Sequence, residues 1–226
     1  MKKTILASAI ALILAGSAFA QPVSDRAVIP LGVTLVQILR IHVPNGGNIE
    51  FVFNDIDDFK NGINSIATPA GNGFYDSDVQ IASSTEWQLD MGAEDATFIG
   101  TDNPANIAFT LDNVGFTCDW NVVNAAANTC CAAASDVSRT GAYTANISAA
   151  GVRGTPQALL QYLGAGTVIL FTSGTGGNGG DVTDNNFTIH WAAGTQEGTM
   201  NATSILDQNI TPDRYVTNVF LELTAI

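Results

Sequence analysis

The stretch from Ile29 to Phe53 limits the possible folds more than any other. Ile29, Leu31, Val33, Leu35, Leu39, Ile41 and Val43 fall on alternate positions with Gln37 as the one polar interruption. Pro30, Gly32, Thr34, Val36, Ile38, Arg40 and His42 fill the places between them. A period of two puts every second side chain on one face of a pleated strand, whereas a helix would need a period of 3.6. The pattern predicts one long strand that buries a face. Asn45-Gly46-Gly47-Asn48 follows, and its residues tolerate positive φ; Ile49, Phe51 and Phe53 then alternate with Glu50, Val52 and Asn54. A second strand, closing a long β-ribbon, is expected.

The same period recurs along the chain. Thr85, Trp87, Leu89, Met91 and Ala93 alternate with Glu86, Gln88, Asp90 and Gly92, and Val79 and Ile81 extend this strand backwards. Trp87 is the largest candidate for a central core side chain. Ile107, Phe109 and Leu111 lead across a bend at Asp112-Asn113 to Val114 and Phe116, and Tyr143, Ala145 and Ile147 suggest a further short strand. Val168 to Thr172 suits a buried strand, while Phe187, Ile189 and Trp191, then Tyr215 to Leu223, alternate again. Thr68 to Asp78 reads as a loop, Thr199 to Thr203 as a strand or turn, and Ser173 to Asp181 as a glycine-rich hairpin tip. Two helical signals stand out: 55–62, capped by Asn54 or Asp55 and stopped by Gly62, and Thr155-Pro156 opening a short helix that ends at Gly164.

Repeated strands with so little helix point to an all-β fold, an antiparallel β-sandwich of Greek-key or jelly-roll-like type with one or two short helices. No internal repeat of fixed period is visible, which argues against a propeller or solenoid. Burying roughly ten large side chains at about 1.5–3 kcal/mol each suffices for such a domain, so no cofactor is called for.

Met1 to Ala20 carries Lys2 and Lys3, an apolar run from Ile5 to Leu14 and a small-x-small exit at Ala18-Phe19-Ala20. These are the marks of a secretory signal cut before Gln21, too short to span a bilayer. Removing those 20 residues from 226 leaves 206, read as a single domain over 21–226. The formal charge of −13 includes the two signal lysines, so the exported chain would carry −15. Such an acidic surface repels nucleic acid and anionic lipid, so neither nucleic-acid binding nor membrane insertion is expected. The expected address is secreted, extracellular or at the cell surface, with a periplasmic location also open.

Cys118, Cys130 and Cys131 lie close in sequence, and an exported chain meets conditions that favour disulfides. Cys118 pairs most economically with Cys130 or Cys131, closing an Ala-, Asn- and Cys-rich excursion at about 117–138 and leaving one thiol over. His42 and His190 sit among alternating strand residues with no nucleophile elbow nearby in sequence. Glu50, Glu86, Asp90, Glu197 and Glu222 could supply the carboxylate pair of a hydrolase, but solvated strand faces explain them as well. Asp55, Asp57 and Asp58, or Asp181, Asp184, Asn185 and Asn186, offer oxygens to Ca²⁺ without the spacing of an EF-hand. No catalytic, cofactor or metal site is assigned, and the chain does not read as an enzyme.

At Thr85 to Met91, and again at Tyr215 to Leu223, the chain resembles secreted bacterial β-sandwich surface proteins, including pilin-like and spore-coat-like fibre subunits. The resemblance is one of layout: a leader, a short cysteine loop and a closing alternating strand. It implies an exported structural or adhesive protein that self-associates, or meets a surface partner, through β-strand contacts. The alternating residues Leu31, Val33, Leu35, Leu39 and Ile41 are the candidates for an assembly strand, with pairing inside their own domain as the competing outcome. A carbohydrate- or ligand-binding module using the 174–184 tip is the alternative, with a secreted hydrolase behind it.

Overall fold

Side chains that alternate in sequence build two layers in the computed structural model, which describes residues 26–27, 29–64, 75–120, 137–138, 147–148, 156–173 and 179–226. By their contacts the residues divide into two units, Met1–Leu35 and Val36–Ile226. The described part of the first unit has no helix or strand, and Ile29, Leu31, Val33 and Leu35 are 79–91% exposed.

The second unit holds every described strand. Its larger sheet runs in the order β1 (Leu39–Asn45), β3 (Asp76–Ser83), β11 (Gly180–Ala193), β6 (Val114–Trp120), β8 (Ile147–Ser148). Two short strands, β2 (Ile63–Asn64) on β11 and β9 (Gln157–Ala158) on β6, add to it. The smaller sheet has the order β13 (Val219–Ala225), β4 (Trp87–Ala93), β10 (Ile169–Ser173), β7 (Val137–Ser138). A small ribbon joins β5 (Ile99–Gly100) to β12 (Tyr215–Val216). The described ladders are antiparallel except for β6 with β8.

Inward side chains of the two sheets meet in one core. Val79, Ile81, Phe116, Phe187 and Ile189 come from the larger sheet, and Trp87, Leu89, Met91 and Phe171 from the smaller. The Phe171 and Phe187 rings cross between them edge to face at 4.8 Å, a favourable arrangement of aromatic quadrupoles. Trp87 is fully buried, as its place in the pattern predicts.

The turn between β3 and β4 ties down both ends of this unit. Ser84 N donates to Ile38 O at 2.9 Å, Gln37 Nε2 donates to Thr85 Oγ1 at 3.0 Å, and Ile226 N donates to Glu86 O at 3.1 Å.

Several expectations are corrected. The long strand begins at Leu39, not Ile29, because its ladder partner β3 ends at Ser83, opposite Leu39, and the chain there turns into β4. Leu39 and Ile41 therefore belong to the sandwich. Ile49, Phe51 and Phe53 keep their alternate half-burial but form no ladder, since β1 pairs with β3 instead of with them. Val79 and Ile81 do not extend the Trp87 strand; β3 and β4 lie in different sheets, and the predicted loop gives up Asp76–Asp78 to β3. Leu111 opens a 3₁₀ turn, Leu111–Asn113, not a strand end. The glycine-rich stretch expected as a hairpin tip lies at 174–178 outside the described residues, and the strands on either side of it, β10 and β11, belong to different sheets instead of one hairpin. Thr199 to Thr203 takes the turn of its two expected forms, whereas the closing alternation breaks into β12 and β13.

Of the two helices, the first forms. In α1 (Ile56–Asn61), Asp55 caps by accepting from Asp58 N at 2.9 Å, and Gly62 ends the helix at φ +75°. A Cβ there would lie about 2.3 Å from the Gly194 carbonyl carbon, so glycine is demanded twice over.

The second helix does not form. Leu159 N donates to Val114 O, Ala93 N to Leu160 O, and Tyr162 N to Ala93 O, which spreads the segment as extended chain across both sheets. Helix periodicity would put Leu159 and Leu163 on one face, yet Leu159 is 2% exposed and Leu163 72%. Leu159→Ala is therefore expected to destabilise by about 2–5 kcal/mol, and Leu163→Ala by no more than about 0.5 kcal/mol, read from urea unfolding midpoints.

Candidate functional site

Each sheet ends at one edge on a seven-residue strand with a ladder on one side only among the described residues: β1, bonded to β3, and β13, bonded to β4. They lie at the same side of the molecule, and a groove of about 490 Å³ runs between them. Alternation aims Leu39 and Ile41 from β1, and Leu221 and Leu223 from β13, into the space between the sheets, while Phe220, Glu222 and Tyr162 complete the groove's lining. Phe220 meets the Tyr162 ring edge-on at 5.7 Å.

Tyr162 reaches this groove because Gly92 lets the 160–162 segment press against β4; a Cβ on Gly92 would stand 2.8 Å from Tyr162 N. Sequence reasoning missed Tyr162 by placing it in a helix. A glycine inside a strand pattern is the signal that could have found it, since it marks a close backbone approach.

Toward the end of β1 and the start of β13 lies a second space, a cavity of about 920 Å³ that shares Leu221 with the groove. Its deep wall is apolar and aromatic, with Met91, Phe109, Leu159, Ile189, Trp191 and Ile205 buried. Two straps cover it, one irregular from Gly46 to Phe53 and one from Ile210 to Asn218 that is irregular except for β12. An exposed ion pair, Arg214 Nε to Glu50 Oε1 at 2.9 Å, joins them. Left sealed and dry, a 920 Å³ void would cost about 22 kcal/mol at about 24 cal/mol per Å³. That exceeds the roughly 5–15 kcal/mol by which a domain is stable. The space is thus a cleft in contact with solvent, and its apolar wall favours an apolar occupant over water.

Asp213 fastens the second strap. Its Oδ1 accepts from Asp102 N at 3.0 Å and Arg214 N at 2.8 Å, and its Oδ2 accepts from Asn106 Nδ2 at 3.3 Å. The Asp102 amide above all lowers the Asp213 pKa below its ordinary 3.8, against a smaller opposing effect of burial. Burial, and the Asp213 charge with it, raises the Tyr215 phenol above its ordinary value.

The remaining candidate residues do not converge. His42 faces Gln80 across the ladder and His190 faces Asp76, so the two histidines are separated along β3 by four residues, about 13 Å. His190 Nδ1 contacts Asp76 Oδ1 at 2.7 Å. Asp90 stands opposite Glu222, but its buried carboxylate accepts from Gly166 N and Gln88 Nε2. Asp55 and Asp58 cap α1, and Asp181 accepts from Thr183 N, so the calcium candidates serve local turns. No group of three or more metal-ligating side chains is found among the described residues. Cys118 is buried in β6; Cys130 and Cys131, and with them the disulfide, lie outside the described residues.

No known protein family matches the chain, and no curated protein is found to be similar to it.

Because its pKa is lowered on folding, Asp213 stabilises the fold fully above its ordinary 3.8, and the effect is lost as pH falls through the lower folded value. Asp213→Asn should therefore lower the urea midpoint at neutral pH, and the gap from the unsubstituted chain should close in strong acid.

Proposed function

We propose that this chain is an exported structural subunit that self-associates at the cell surface through β-strand contacts. The observation that carries the reading is the apolar groove between two edge strands in a chain that also bears an exposed, alternating apolar arm. Ile29 to Leu35 is seven residues, the length of β1 and of β13, or about 23 Å at about 3.3 Å per residue. Such an arm suits addition to a sheet edge of another copy, where main-chain bonds give affinity and alternate side chains fill the groove.

Charge favours the same occupant. Exported copies with a net charge of −15 repel one another, but no charged residue lies between Arg26 and Arg40, so the arm approaches an acidic body without added repulsion. Leu31, Val33 and Leu35 act as the donated residues, and Leu39 and Ile41 as acceptor walls. Arm and groove are different surfaces, so contacts of this kind are heterologous and propagate into open chains unless a ring closes. The leader-like Met1 to Ala20 supports export.

Sizing and electron microscopy of the chain lacking residues 1–20 test the reading. Oligomers or filaments are expected, and a chain that stays monomeric at high concentration would refute self-association. Deleting 21–35 should leave monomers with an unchanged far-ultraviolet circular dichroism spectrum. Leu31→Asp or Leu35→Asp should each weaken association by about 1.5–3 kcal/mol, roughly tenfold to a hundredfold.

A further inference from the structure

We infer that the cavity under the two straps binds an uncharged, apolar small molecule, a neutral lipid-like ligand such as a long-chain alcohol. Its volume, about 920 Å³, lies within the roughly 300–1,000 Å³ of sites that enclose small ligands. The deep wall offers such a ligand contact surface and no free polar group at its largest side chain: Trp191 Nε1 already donates to Ser77 Oγ at 2.9 Å, and Ser77 Oγ donates to Gly46 O. A polar body would be desolvated there without recompense. A peptide strand fits less well, because most of the lining is apolar side chain, and only Val43 of β1 and Val219 and Leu221 of β13 bring a sheet edge near to pair its amide groups.

The mouth selects against charge. The uncharged polar residues of the lining are led by the exposed Asn48 and Thr211, suited to a hydroxyl or carbonyl end, while Thr217 Oγ1 and Asn218 Nδ2 already donate to Asp95 and Glu94. Its charged residues are Glu50, Asp213 and Arg214, one cation against two anions, and Arg214 Nε is already engaged by Glu50. A carboxylate ligand would have to displace Glu50 and then sit beside Asp213. Entry needs little: the first strap has no ladder, and the ion pair joining the straps is more than half exposed on both sides, a class of contact that holds weakly.

The test uses the chain lacking residues 1–20 and the uncharged fluorophore N-phenyl-1-naphthylamine, with quenching of tryptophan emission as a second readout. Saturable binding is expected, with hexadecanol displacing the probe at a concentration lower than palmitate by about tenfold or more. Val43→Trp from β1 and Ile210→Trp from the second strap fill the cavity, and whichever keeps the parent's far-ultraviolet circular dichroism and urea midpoint should bind the probe about tenfold more weakly. Glu50→Gln should narrow the difference between alcohol and acid. Leu31→Asp should leave binding unchanged, which separates this site from the arm. Absence of saturable binding, palmitate competing as well as the alcohol, or unaltered affinity in the filled variants would each overturn the inference.

Discussion

Backbone hydrogen bonding stops on one side of the sandwich, and the molecule's accessible chemistry collects there. A strand needs partners for its amides, and β1 and β13 find theirs on β3 and β4 alone among the described residues. Proteins usually blunt such edges with charge, proline or irregular register. Both edges show these devices on their outer positions: Arg40, His42, Pro44 and a register shift between His42 and Asn45 on β1, and Glu222 on β13. The inward positions are not blunted, since Leu39, Ile41, Leu221 and Leu223 leave an apolar groove. The outside discourages indiscriminate pairing while the inside rewards one matching insert, a combination that favours specificity over aggregation.

How far the fold was legible follows from what alternation reports. It says which way a side chain faces, so the buried set of Trp87, Leu89, Met91, Phe187, Ile189 and Trp191 could be read directly. It does not say which strand lies alongside. Phe51 and Phe53 face inward without belonging to a ladder, and Val79 and Trp87, on one continuous pattern, fall in opposite sheets. Local signals also lost where tertiary contacts opposed them: Pro156 and the leucines after it read as a helix, but carbonyls and amides of Val114 and Ala93 hold that segment extended. The cap at Asp55 and the stop at Gly62 prevailed because the packing around them agrees. The groove was half visible, as its β1 wall stands in the alternating run while Tyr162 depends on Gly92.

The straps explain why the interior is not closed at every point. Interiors pack as densely as organic crystals when strands or helices press their faces together. Between Gly46 and Phe53, and between Ile210 and Asn218 apart from β12, the chain instead crosses the core as irregular cover. The first cover has no ladder and is held by Phe51 stacked on Tyr75 at 4.5 Å, while the second is held by the two-residue ladder of β12 with β5 and by Tyr215 stacked on Phe109 at 5.4 Å. A cover held by side chains can move without tearing a sheet.

The Ser84–Glu86 turn holds Ile38 at the entrance to β1 and Ile226 after the exit from β13. Both ends of the sandwich unit are therefore moored at a single corner. Tension applied between them would be taken up by that corner and by peeling of the two outermost strands, leaving Trp87, Phe171 and Phe187 outside the line of force. Mechanical toughness in this molecule would be governed by the main-chain and hydroxyl bonds of Ser84, Thr85 and Glu86 on its rim, not by the aromatic packing at its centre.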